Sequence, residues 1–187
     1  GEGTEWGSLH PCCLSGSARF FKPAYSIFLI NKWLPSIKGA VTKLTKGGSF
    51  ADIGCGFGHS TTMIAEQFPQ SSIRGIDPHE QSIHEAQKIA EQKSLSNLSY
   101  EIASAENYSG EYDIISFFDC LHDMGDPVAA VSYAKTKLKS GGALMIIEPY
   151  ANDEVSENFN IIGQMYYSFS TIACVPASKS QKGGMAL

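Results

Sequence analysis

The sequence predicts an open α/β fold, a mainly parallel sheet with helices on both faces, on three observations. Strand-like and helix-like segments alternate five times between Ser49 and Tyr150, which right-handed crossovers wind into such a sheet. One segment, Tyr112 to Cys120 (YDIISFFDC), is almost continuously apolar, as a strand buried on both faces should be. Another, within SFADIGCGFGHST, carries one acid, Asp52, and runs into glycines at every second position, Gly54, Gly56 and Gly58. Glycine there lets the backbone take positive φ and approach a ligand at the N-terminus of the helix that follows.

The elements follow in order. Residues 1–16 are Gly/Ser-rich without periodicity and read as loop, with the loop or linker remnant taken to residue 22. Ile27, Ile30, Trp33 and Leu34 recur at helical spacing and predict an amphipathic helix from Pro23 to Ile37, packed on the sheet edge. Lys46-Gly47-Gly48 is a turn, and Ser49 to Ile53 the first strand. Met63, Ile64 and Phe68 give a short helix face closed by Pro69. Ser71 to Asp77 is the second strand; Pro78 then fits a first helical position, with the helix running to about Lys93. Asn97 to Ser104 and Tyr112 to Cys120 are the third and fourth strands. Asp126-Pro127 caps and opens a helix striped with Val128, Val131, Ala134 and Leu138, and Gly141-Gly142 is expected to end it. Ala143 to Ile147 is the fifth strand, followed by Glu148-Pro149. Beyond Tyr150, Ile161, Ile162, Met165, Tyr166 and Phe169 predict one more helix.

Composition bounds the function. The chain has 187 residues, 43% hydrophobic and 18% charged, enough to bury a core as one soluble domain. A net charge of −5 argues against a broad nucleic-acid face, so nucleic acid is not an expected partner. Among the five cysteines there is no CxxC pair and no His/Cys cluster at zinc-ligand spacing, so no metal is expected. Cys55 and Cys120 fall in or beside buried strands and read as small reduced side chains, which fits a cytoplasmic protein. The apolar run Tyr25 to Ile30 stops at Asn31-Lys32, too short for a membrane span, and no basic region precedes it as in an export signal.

Three features bear on the ligand of the glycine turn. A dinucleotide fingerprint, GxGxxG, needs glycine at position 59, where this chain has His59; the Walker A pattern also fails, since no Gly-Lys-Ser/Thr follows. Asp77 closes the second strand 23 residues after Gly54, where a carboxylate can accept both hydrogen bonds of a ribose diol, or alternatively cap the helix that begins near Pro78. Asp52 lies inside an apolar strand, where an acid is costly unless paired; it can support the glycine loop or attract a cationic amino or sulfonium group.

DIGCGFG followed by GID resembles the S-adenosylmethionine-binding core of class I methyltransferases, with a Rossmann-like sheet, over about half the chain from Ser49 to Tyr150. The resemblance implies S-adenosylmethionine as cofactor and S-adenosylhomocysteine as product. It implies Gly54, Gly56 and Gly58 beside the amino-acid end of the cofactor and Asp77, followed by Pro78, at the ribose. Many members carry an acid after the third strand that bonds the adenine amino group. This chain has Ala103-Ser104-Ala105 there, placing adenine against Ser104 and Ala105 with a neutral acceptor, which is weaker than a charged one. On this reading 23–150 form the cofactor-binding core and 151–187 a helical or loop C-terminal segment. The last antiparallel strand pair of such sheets is missing, so the chain reads as truncated, lacking final strands. An exposed sheet edge of that kind would call for a homodimer or other partner contact.

The fourth strand ends FFDCLHDMGDP, with Asp119 at its tip and His122 and Asp123 in the loop, similar to the LHDW-type segment of small-molecule O-methyltransferases. That resemblance implies His122 as the base that deprotonates an acceptor hydroxyl and Glu148, 26 residues on, as its flanking carboxylate. The chemistry agrees: a hydroxyl attacks a sulfonium better as it loses its proton, and imidazole, with an unperturbed pKa of about 6.5, suits that task. A histidine in this loop can instead simply pack under the cofactor. His59, His79 and His84 read as solvent-facing or capping residues, and His10 as part of the loop-like start. The leading expectation is a methyltransferase for a small-molecule acceptor, at oxygen. The alternatives are a non-catalytic S-adenosylmethionine-binding module of a transcription-regulator-like protein, for which 1–48 leave no room for a winged helix, and a nicotinamide oxidoreductase, which His59 disfavours.

Overall fold

In the computed structural model residues 3–186 are described; Gly1, Glu2 and Leu187, which fall in the expected terminal loops, lie outside them. Five strands pair in parallel throughout: β1 (Ser49–Ile53), β2 (Ser72–Asp77), β3 (Leu98–Ile102), β4 (Tyr112–Phe118) and β5 (Leu138–Ile147). Their order, β3-β2-β1-β4-β5, reverses direction of winding between β1 and β4. Ligand crevices of open α/β sheets form outside the strand C-termini at that point. The expected open α/β sheet is therefore present, and the described residues hold no antiparallel pair.

Side-chain alternation explains why both faces are covered. Phe50 of β1 and Ile114 and Phe118 of β4 join one core with Leu29, Leu44 and Ile64. Ala51 and Ile53 of β1 and Ile115 and Phe117 of β4 join the other, with Ala130 and Ala134. A strand with apolar residues at successive positions can only be satisfied this way.

The helices are α1 (Pro11–Ala24), a wide-turn helix over Tyr25–Trp33, α2 (Leu34–Ser36), α3 (Ala40–Thr45), α4 (His59–Gln67), α5 (Glu80–Gln92), α6 (Pro127–Thr136), α7 (Ile161–Phe169), a second wide-turn segment over Ser170–Cys174, and α8 (Val175–Ser180). None among the described residues is long and apolar enough to cross a membrane.

Three expectations are corrected. The loop over 1–22 is a helix from Pro11: Pro11 fills the first position and the His10 ring accepts the Cys12 N–H, so His10 is a cap. Only Leu14 and Ser17 of α1 are buried, too sparse a pattern to show as periodicity. Pro23 lies inside this helix rather than at its start, and the turns widen directly after it, where a proline lacks an N–H for the regular ladder. Finally, Gly141-Gly142 does not end α6, which stops at Thr136. The two glycines lie in an irregular start of β5, where Leu138 pairs with Tyr112 and Ala143 already pairs with Ile114. The helix expected after Tyr150 forms as α7, but no residue of it is buried; Ile162, Tyr166 and Phe169 line a cavity instead.

Gly75 of β2 pairs with Asp52 on one side and Tyr100 on the other. A Cβ there would lie 2.5 Å from the Tyr100 ring and 2.8 Å from Cys55 Sγ. Overfilling such a site costs about 1–3 kcal/mol. Gly75→Ala is therefore expected to lower the unfolding free energy measured in urea by that amount while leaving the far-UV spectrum native-like.

Candidate functional site

The glycine turn after β1 is shaped by its neighbours and open to the crevice. Gly54, Gly56 and Gly58 take φ of 71°, 50° and 70°. A Cβ on Gly54 would meet Cys120 Sγ at 2.7 Å and one on Gly58 would meet Tyr100 Oη at 2.3 Å, whereas one on Gly56 would meet nothing within 4 Å. Gly54 and Gly58 are thus required by packing, and Gly56 presents bare backbone to open space.

Asp52 is 1% exposed and supports this turn from below. Its Oδ2 accepts from Ser60 Oγ at 2.6 Å and Thr61 Oγ1 at 3.0 Å, and its Oδ1 from Ser116 Oγ at 3.0 Å. Those contacts fix the first turn of α4 to β1 and β4. Burial raises its pKa to about 6, against the lowering effect of the three hydroxyls. Of the two roles open to Asp52 in the sequence, the geometry serves loop support.

Asp77 ends β2 with both oxygens engaged: Oδ2 accepts the Gly56 N–H at 2.9 Å and Oδ1 the His79 N–H at 2.8 Å. Burial raises its pKa in spite of those two amides. It both braces the glycine turn and opens α5, and it still lines a cleft of about 210 Å³ with Gly54, Gly56 and Pro78. Ser104 is exposed; with Pro78, Ala105 and Gln181 it lines a smaller recess of about 110 Å³.

Across the crevice, β4 and β5 bring His122 and Glu148 together. Glu148 Oε1 accepts the N–H groups of Leu121 at 2.8 Å and Cys120 at 3.2 Å, and His122 Nδ1 donates to its Oε2. Adjacent parallel strands place these residues side by side because Phe117 and Phe118 pair with Ile146 and Ile147. The His122 Nε2 lies 3.4 Å from Asp123 Oδ1. Burial works against a charged imidazole, but hydrogen bonds with Cys174 and Glu148 and the charges of Asp123 and Glu148 hold His122 well above the usual histidine range. Asp119 takes φ of 51° and accepts the Tyr25 hydroxyl at 2.8 Å. Its pKa is raised to about 6 by burial, which outweighs that hydrogen bond, with the Glu148 charge adding to the rise.

His122, Glu148 and Asp119 line a cavity of about 770 Å³ walled by Phe21, Ile162 and Tyr166. Asp119, Asp123 and Phe21 line both this cavity and the glycine-side cleft, so the two chambers meet there. Sequence reasoning did not foresee Tyr25, Cys174 or Gln181 at these walls. Tyr25 and Cys174 come from the two wide-turn segments and Gln181 from just after α8, all distant in sequence from the motifs they meet. His59 lines the cleft at the start of α4, while His79 caps α5 with its ring on Ser82 Oγ and His84 is exposed.

A parallel sheet in this order, with a glycine turn and a strand-end acid at its switch point, is the fold of class I S-adenosylmethionine-dependent methyltransferases. The chain belongs to the methyltransferase domain family, whose profile matches residues 44–183. It is 27% identical over 153 residues to the ubiquinone biosynthesis O-methyltransferase of Acinetobacter baylyi, covering 78% of this chain and 60% of that protein. Among solved structures it resembles an O-methyltransferase family protein from Burkholderia thailandensis (TM-score 0.66, 16% identity, 91% of this chain and 47% of that one). It also resembles the plantazolicin methyltransferase BpumL, solved with a desmethylplantazolicin analogue and SAH (TM-score 0.55, 21% identity, 85% and 57%). These two likenesses establish the fold. The chain spans less than two thirds of the length of the curated relatives it matches, 60% for that of Acinetobacter baylyi.

Asp52 supplies a test of this architecture. Because its folded-state pKa is about 6 against 3.8, the folded state holds the proton more tightly than the unfolded chain. Its contribution is therefore greatest below 3.8 and is lost as pH rises through about 6. Asp52→Asn has no such titration. The variant's stability relative to the native chain should rise between about pH 4 and about pH 7 in urea melts. A constant difference across that window would contradict the shift.

Proposed function

We propose that this chain binds S-adenosylmethionine in the glycine-side cleft and transfers its methyl group to the hydroxyl of a small molecule held in the larger cavity. The observation that carries this reading is the His122–Glu148 pair in the wall of the larger cavity, beside Asp119 and Asp123 where the two chambers meet. Gly54, Gly56 and Gly58 face the amino-acid end of the cofactor. Asp77 and Pro78 lie at the ribose, with Ser104 and Ala105 at the adenine. Asp119 sits between cofactor and acceptor.

His122 would take the acceptor's proton at Nε2 as the acceptor oxygen bonds the methyl carbon, the methyl–sulfur bond breaking to leave S-adenosylhomocysteine. Glu148 holds the Nδ1–H, fixing the ring's tautomer and orientation and stabilising the imidazolium that forms. Because its carboxylate neighbours favour the charged ring, His122 acts only after releasing its own proton. The cavity also limits the acceptor. Asp119, Asp123 and Glu148 line it and, among the described residues, no Lys or Arg does, so an anionic substrate would meet three carboxyl groups against the His122 ring. With Phe21, Ile162 and Tyr166 as walls, a neutral or cationic, largely apolar hydroxy compound fits best. The relationship to an O-methyltransferase of ubiquinone biosynthesis agrees with that class.

S-adenosylhomocysteine, and not NAD, should raise the melting temperature. Asp77→Asn should weaken its binding about tenfold or more, the scale of one hydrogen bond to a charged group. With an apolar phenolic acceptor, His122→Ala should lower kcat by about 10²–10⁴ with cofactor affinity unchanged. An undiminished kcat would sink the base role. Tight cofactor binding with no transfer to any hydroxy compound would instead favour the regulatory reading.

A further inference from the structure

We propose that His122, Asp123 and Cys174 form a binding site for a zinc-like divalent cation on the wall of the large cavity. One donor atom from each residue lies within 4.8 Å of the others, although Cys174 is far from the loop in sequence. The geometry suits a metal better than an ion pair. His122 Nε2 and Asp123 Oδ1 are 3.4 Å apart. That is longer than the usual N–H···O separation of about 2.9 Å. It is close to the ~3.3 Å edge between nitrogen and oxygen ligands placed about 2.0–2.1 Å from a tetrahedral zinc.

Three further observations point the same way. Asp123 Oδ1 is buried without a hydrogen-bond partner, the mark of a group waiting for a ligand. Glu148 accepts from His122 Nδ1, so a cation that displaces the Nε2 proton meets a ring already oriented; carboxylate–histidine pairs orient metal ligands in this way. Asp119, Asp123 and Glu148 also crowd one cavity that no Lys or Arg lines, and a divalent cation offsets that surplus. A thiol with an imidazole and one carboxylate selects zinc over magnesium or calcium. Three protein ligands leave a fourth position open to the cavity.

Two other uses of the same residues fit less well. An imidazolium held between Glu148 and Asp123 stands 3.4 Å from Oδ1, long for a hydrogen bond, and leaves that buried oxygen unpartnered. A Cys174 thiolate acting as nucleophile is opposed by burial, which raises the thiol, and by the adjacent Asp123 charge. The proposal rests on the cavity and not on methyl transfer. A cation there would occupy the Nε2 assigned above to the acceptor's proton, so metal-loaded and metal-free protein would differ in their acid–base chemistry.

The test uses the whole chain carrying Cys12→Ser and Cys13→Ser, which removes exposed thiols able to bind zinc beside His10. After chelation and dialysis, zinc titration followed by elemental analysis should give one ion per chain. Cobalt in its place should show a sulfur-to-cobalt charge-transfer band. Cys174→Ser should abolish the band and Asp123→Asn should weaken zinc binding at least about tenfold, while S-adenosylhomocysteine still stabilises the Cys174 variant. Failure to retain zinc, or a cobalt spectrum unchanged by Cys174→Ser, overturns the site. Neither result touches the methyl-transfer reading, which is decided by the assays given for it above, run on the chelated protein.

Discussion

The carboxylate of Asp52 is the constraint on which the crevice depends. An ionisable group with 1% exposure is tolerable only when its oxygens are satisfied. Here Ser60, Thr61 and Ser116 supply three hydroxyl donors from α4 and β4. That arrangement fixes where β1 ends, how α4 begins and how far β4 lies from both. The glycine turn is suspended between these anchors. Asp77 then ties its middle to β2 through the Gly56 amide. A polar network buried under a turn rigidifies it more than apolar packing could, because misplacing any one member orphans the rest.

The opposite wall follows the same logic with Glu148. One carboxylate accepts two backbone amides from the Cys120–Leu121 bend and the ring of His122, so the loop after β4 is shaped by the residue that follows β5. Tyr25 closes the arrangement from above through its bond to Asp119. The cleft and the larger cavity are thus bounded in part by acids held in place, Asp77 and Glu148 by backbone amides and Asp119 by a phenol.

Much of this was legible in the sequence for a definite reason. Strands buried on both faces leave continuous apolar runs, and turns requiring positive φ leave glycines, so β1, β4 and the Gly54–Gly58 turn announced themselves. The pairing of His122 with Glu148 was legible because parallel neighbours bring successive strand ends together. What escaped was whatever lacks a local signature. Helix α1 buries only Leu14 and Ser17 and carries a proline inside, so its sequence resembled a linker. Cys174 approaches His122 only because the helices after Tyr150 fold back over the crevice, and no spacing rule between distant residues encodes that return. Gly141-Gly142 mimicked a helix stop because glycines at an irregular strand start and at a helix end satisfy the same backbone need.

That irregular start of β5 has a bearing on how such a scaffold can vary. Lys139 and Lys43 anchor it to Asp113, at the end of the sheet away from the crevice. From Ile114 and Ala143 onward the β4–β5 ladder runs without a slip to Phe118 and Ile147. Length changes in the four residues between Leu138 and Ala143 are absorbed before the ladder begins. The chain can therefore drift in length at one pole of the sheet while the spacing of Asp119, His122 and Glu148 at the other is preserved.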